Sequence, residues 1–480
     1  GEYWGTEISS HCSSKVSPVN STISKLRSVW ACVLTGLTLQ LAQSATAAPV
    51  DDLSAPVQRF TTPAPGLQLT ELAAATRAFR EGDVDGCRRH LEAAKAKLAA
   101  RPGTGELPPV DLMIARLYIS QGQLPVGRSI LERVATEHDE HPEVFLLFGN
   151  LALAEARLTD ALLHFERAGA LANKKTESIA QRAESGLGSR TNWTPAQQRA
   201  TFREAFAGIA TVAERRQSWF RAQVALKQWA KIDPQNAGVR DRLAAALFMV
   251  GREDEAREHF AEAYRLNSKI NRPEVSIAVM HARQNDFSKA RKAFLDAIKK
   301  YPEDGRVYQE FAGMLLLAGE AAEAQKQAAR AAELGVESSE LVMHRGYIAR
   351  QLGKFKDAER YFGSVVAQSP SDFESSNQLA LVLIERPDDV RRKRALELAE
   401  MNVQRFPNSS FALSTYGWIL FKLGDKQRAI KVLQAAAAQP NVRSETLYFL
   451  TRAMWEDGQK GSARELAKQV KSAVDRPGLF

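Results

Sequence analysis

Alanine recurs at 222, 256, 290, 324 and 358, positions 34 residues apart, and proline recurs at 234, 302 and 370, at twice that interval. A fixed period of this length describes one small unit copied in series, each copy burying its apolar face only against its neighbours. The chain is therefore restricted to a stacked array, which carries no single concentrated active site.

In register, 237–270, 271–304, 305–338 and 339–372 each contain two apolar-periodic segments around a short turn, which predicts a helical hairpin. Small residues, Ala244, Ala278, Ala312 and Gly346, sit within the first helix, and Ala256, Ala290, Ala324 and Ala358 open the second. Such positions let two helix axes approach closely. Leu243, Ile277 and Phe311, with Phe260, Phe294 and Phe362 opposite, are the predicted core, and Gly251, Gly319 and Gly353 mark the turns. Pro302 and Pro370 follow the second helix, which the proline ring cannot continue.

This pattern resembles the tetratricopeptide repeat (TPR) family. The resemblance implies an all-α fold, a right-handed α-solenoid of about ten helix-turn-helix repeats. Further units read at 373–409, 410–443 and 444–477, the first with three extra residues around Arg386-Pro387-Asp388-Asp389 that are expected in its turn. Upstream, units read at 203–236, 142–175, 108–141 and 68–101, the last with Cys87 where alanine is expected.

The phase breaks between Ala161 and Ala222, 61 residues apart where two periods would need 68. Gly186 and Gly188 lie in this interval, and Thr194-Pro195 has the order of a helix N-cap and first turn. A loop or hinge is expected at 186–194, dividing an N-terminal block at 67–185 from a superhelix at 195–480. One continuous array with a long connection is the alternative.

Residues 1–48 differ from the rest. Lys25 and Arg27 precede an apolar run, Val29 to Leu41, and Ala45-Thr46-Ala47 supplies an A-x-A site. This is the pattern of a secretory signal, with an apolar run too short to span a bilayer. The expected location is exported, periplasmic or an equivalent envelope compartment, with a mitochondrial presequence as the alternative. Residues 49–66, with prolines at 49, 56, 63 and 65, read as an extended linker. Without the signal only Cys87 of the three cysteines remains, so no intrachain disulfide is expected and Cys87 reads as a small core residue. The net charge of +9 arises from 65 basic residues interleaved with 56 acidic ones, which does not point to nucleic acid. Arg391-Arg392-Lys393-Arg394 reads as the solvated start of a second helix.

The chain offers no phosphate-binding glycine loop and no recognisable nucleophile, so no catalytic residue, metal or cofactor is expected and the protein reads as no enzyme. His138 and His141 are expected at a helix C-terminus, meeting its dipole.

In the family it resembles, first helices line a concave groove. Carried onto this chain, the lining positions are Met343, His344, Tyr347, Arg350 and Gln351, then Asn377, Gln378 and Ile384, then Phe411, Trp418, Phe421 and Lys422, and finally Tyr448, Phe449, Arg452 and Trp455. Aromatic and arginine side chains suit binding hot spots; packing between adjacent first helices is the other reading of Trp418 and Trp455. The set by which some members clamp a C-terminal carboxylate is incomplete here. The expected function is a non-catalytic scaffold of the cell envelope, holding a protein or peptide partner during assembly, secretion or polysaccharide export. An accessory array for a glycosyltransferase-type enzyme is the alternative.

Overall fold

A computed structural model describes residues 70–100, 107–184, 194–386, 388–407, 409–439 and 442–473. The signal-like segment, the linker and residues 186–193 of the expected hinge lie outside them. Among the described residues there are helices and no strands. They are α1 (Thr70–Arg80), α2 (Val84–Ala99), α3 (Val110–Ser120), α4 (Leu124–Glu137), α5 (Pro142–Ala154), α6 (Leu158–Glu184), α7 (Pro195–Arg215), α8 (Trp219–Ile232), α9 (Ala237–Met249) and α10 (Glu253–Leu266). Then follow α11 (Pro273–Arg283), α12 (Phe287–Lys300), α13 (Gly305–Leu317), α14 (Ala321–Glu333), α15 (Ser339–Gln351) and α16 (Phe355–Gln368). The last are α17 (Phe373–Ile384), α18 (Asp389–Arg405), α19 (Ser410–Lys422), α20 (Lys426–Ala437), α21 (Ser444–Glu456) and α22 (Lys460–Ala473). Each odd-numbered helix pairs with the next as a hairpin, giving an all-α solenoid. The residues fall into two compact units, divided between Arg272 and Pro273.

The hairpin turn is a helix end closed by one left-handed residue. In α9–α10, Gly251 at φ 86° lets the Arg252 amide donate to Leu247 O at 2.9 Å, which satisfies a carbonyl that the helix end would leave unpaired. Ala156, Gln217 and Asn285 take the same conformation without being glycine, and the Gln217 turn keeps the matching bond, Ser218 N to Ala213 O at 2.8 Å. Second helices then begin on side-chain caps such as Asp286 and Asp425, which accept from Lys289 N and Arg428 N.

The small positions work as the sequence predicts. Ala244, Ala256, Ala278, Ala290, Ala312, Ala324 and Ala358 are fully buried, as is Cys87, whose thiol burial pushes up to about 11. Glycine replaces alanine where a ring comes closer still: a Cβ on Gly149 would lie 2.6 Å from Phe165, and one on Gly346 would lie 2.6 Å from Phe362.

The long interval before α8 has a local cause, and two expectations change. The interval from Ala161 to Ala222 is one hairpin step, lengthened because α6 and α7 run 27 and 21 residues. Phe165 of α6 packs against Gly208 of α7 as well as Gly149, so these two helices meet as ordinary neighbours. Thr194 and Gln197 do form the N-terminal capping box of α7. The three extra residues near 386–389 enter the helix: α18 starts at Asp389 and runs 17 residues, against 14 for α16, adding a turn before Ala395. Asp388 caps that turn, and Arg391 bonds Glu359 at 2.8 Å, so part of the basic run is paired rather than solvated. Finally, His141 is the N-cap of α5, its Nδ1 accepting from Glu143 N at 3.3 Å. Burial first, then Lys175, His138 and Lys95, drives its pKa down to about 3, so a neutral ring caps a helix start. It does not offer a positive charge to a helix end.

Candidate partner-binding face

All the groove positions fall in the unit that begins at Pro273. There, first helices touch first helices in the pairs α11/α13, α13/α15, α17/α19 and α19/α21, more closely than second helices approach one another. The side carrying the first helices is thus the inner side of the stack.

That side is more enclosed than an open groove. In α17 every residue from Ser375 to Ile384 is buried. Its polar residues Ser376, Asn377 and Gln378 are built into bonds that a helix exposed on one face would give to water. Ser376 Oγ donates to Asn402 Oδ1 at 3.0 Å and Asn377 Nδ2 to Thr415 Oγ1 of α19 at 2.8 Å. Gln378 Nε2 donates to Glu374 Oε1 at 3.3 Å and its Oε1 accepts from Arg350 Nη1 at 3.0 Å. Tyr347 donates its hydroxyl to the same Glu374 carboxylate. The other nitrogen of the guanidinium, Arg350 Nη2, reaches Glu445 Oε1 of α21 at 2.5 Å.

Of the positions carried over by resemblance, Met343, His344, Asn377, Gln378, Ile384, Trp418, Phe421 and Phe449 are buried. Tyr347, Arg350, Gln351, Phe411 and Tyr448 are half-buried, and Lys422, Arg452 and Trp455 are exposed, Trp455 by 43%. Trp418 stacks on Phe449 with ring centroids 4.2 Å apart and on Phe421 at 5.1 Å, and its Nε1 donates to Glu385 at 3.3 Å. It fills the space between α19 and α21. Lys422 closes on the same carboxylate at 2.9 Å. Tyr448, Arg452 and Trp455 follow at helical spacing along α21 and carry the accessible part of the face.

The electrostatics follow from this enclosure. Burial opposes the Arg350 charge, but Glu445, Tyr347 and Glu385 outweigh it and hold its pKa above the ordinary value. Burial and the Glu374 carboxylate push the Tyr347 phenol well up. His344, packed over Gly313, is driven down to about 4 by burial, against a backbone hydrogen bond at Gln309 that pulls the other way. Its ring is neutral. Sequence reasoning singled out Tyr347, Arg350 and Gln378 as candidates and passed over Glu374, Glu385 and Glu445, the carboxylates around them. Glu374 had a local signal, standing four residues before Gln378; the pairing of residues 350 and 445 left none. No group of three or more metal-ligating side chains occurs among the described residues, and none of their helices is long and apolar enough to cross a membrane.

The tetratricopeptide repeat family matches residues 112–174 and 277–337. No curated protein matches the sequence. Among solved structures, the Cut9–Hcn1 hetero-tetramer of APC/C is similar at 12% identity, over 85% of this chain and 94% of that one, with a TM-score of 0.41. Yeast Tom70 is similar at 15% identity, over 85% and 92%, with a TM-score of 0.35. MamA from Desulfovibrio magneticus RS-1 is similar at 19% identity, over 35% and 94%, with a TM-score of 0.28.

Proposed function

Since the chain is a tetratricopeptide repeat protein, we propose that it is a non-catalytic interaction scaffold that binds a protein or peptide on the inner side of its first helices, at the face centred on α21. The supporting observation is the row Tyr448, Arg452 and Trp455, of which Trp455 remains 43% exposed beside the enclosed network. A large aromatic and an arginine on one accessible helix face combine contact area with directional polar groups, the composition of interface hot spots. In this reading the protein is exported and serves envelope assembly, secretion or polysaccharide export; the signal-like pattern at 25–48 supports that setting.

The test is recovery of partners by the full chain from a native envelope extract, compared with Trp455→Ala and Arg452→Ala. A stoichiometric partner lost in both variants supports the reading. Partners retained by both variants exclude this face, and recovery of a glycosyltransferase in their place favours an accessory role.

A further inference from the structure

In residues 273–473 the hydrogen bonds described between side chains of different helices otherwise span at most 38 residues, as from Asn377 to Thr415, which joins each hairpin to its own partner helix or to the next hairpin. The bond from Arg350 to Glu445 spans 95. It connects α15 to α21 past the first helices α17 and α19, a link that nearest-neighbour stacking does not require. We propose that this pair is a latch, an intrachain contact that holds the inner side of α15–α21 closed over the buried polar strip of Asn377, Gln378 and Thr415, and whose release opens that strip.

Three observations converge on it. The guanidinium rests on the strip itself, since the nitrogen not bonded to Glu445 donates to Gln378. Beneath it Asn377, Gln378 and Thr415 are almost wholly buried, and Asn377 Oδ1 has no hydrogen-bond partner. A buried acceptor left unpaired disfavours the closed state, so closure depends on contacts elsewhere, and the latch supplies one. The Arg350 and Glu445 side chains are themselves 24% and 21% exposed, within reach of water, salt and competing charges. Enclosure of α17 on every side thus rests partly on a contact that solvent can compete for.

That opening admits a partner rests on the scaffold reading above; the opening itself does not, and its test uses no partner. Spin labels are placed on the full chain at Lys354→Cys and Lys460→Cys, with Cys12→Ser, Cys32→Ser and Cys87→Ala removing the native thiols. Pulsed dipolar spectroscopy reads the distance between the two hairpins. Arg350→Gln and Glu445→Gln should each lengthen it by about one helical turn, about 5 Å, and broaden the distribution while helical content is unchanged. The parent protein should show the same trend in about 1 M NaCl, where the screening length falls to about 3 Å. A distribution unchanged in Glu445→Gln, a substitution of nearly equal volume, and unchanged by salt would overturn the latch.

Discussion

Gly346→Ala separates what the repeat pattern recommends from what the packing permits. The equivalent residues are Ala244, Ala278 and Ala312, and alanine in a helix interior is favoured over glycine by about 1 kcal/mol. Pattern reasoning therefore makes this a stabilising change. In the structure the new Cβ would lie 2.6 Å from Phe362 Cε1, 2.8 Å from Cζ and 2.9 Å from Cδ1. Phe362 is fully buried and edge-on to Tyr347 at 5.4 Å, so the ring has nowhere to retreat without moving the residue that holds Glu374. Overpacking of this kind costs about 1–3 kcal/mol. The clash wins, and the net expectation is a loss of about 1 kcal/mol after the helix gain is subtracted. Gly363→Ala is the control: it lies one residue along in α16, and nothing comes within 4 Å of its Cβ. It should gain about 0.5–1 kcal/mol. Urea midpoints of the full chain, read by circular dichroism, should therefore move in opposite directions for the two variants. In a Phe362→Leu background, which lacks the clashing Cε1 and Cζ atoms, Gly346→Ala should cease to destabilise. A higher midpoint for Gly346→Ala in the parent chain would refute the reasoning.

His344 has a folded pKa of about 4 against an ordinary 6.5, so the unfolded chain takes up its proton first; stability falls as pH drops from about 6.5 towards 4, by at most about 1.4 kcal/mol per unit. His344→Gln should flatten that part of a stability profile measured by urea titration between these values. Glu340 has the opposite sign. Burial and then the Glu310 charge raise it to about 7, so the folded state holds its proton longer and stability is lost as pH rises from about 4.5 through 7. Glu340→Gln should remove that loss, which thermal melts at pH 5 and pH 8 will show as a smaller difference than in the parent. Trp418→Ala should cost about 3–5 kcal/mol, the range for emptying a buried aromatic site, whereas Trp455→Ala should leave the midpoint within about 0.5 kcal/mol and weaken partner capture. Denaturation and pull-down of the two variants side by side distinguish core from contact.

The period alone determined the hairpin, its turn and its core, because each unit buries its apolar face on adjacent sequence and each local preference repeats at the same place. Thr194 as a helix cap and Cys87 as a small buried residue were legible for the same reason: both depend on bonds or packing within one repeat or its neighbour. Where a single sequence position can be satisfied in two ways, the pattern chose wrongly. The extra residues near 386–389 could lengthen a turn or a helix, and Asp388 and Glu359 decided for the helix. His141 could end one helix or begin the next, and burial beside the Glu143 amide decided that as well.

The inner face belonged wholly to the tertiary structure. Family spacing marks which residues point inward, but it does not say how closely successive first helices approach, and that distance makes Trp418 a filler between α19 and α21 and leaves Trp455 exposed. Arg350 finds Glu445 only through the stacking of the hairpins between them, which no single hairpin specifies. Periodicity is a property of neighbours; closure across 95 residues is a property of their sum.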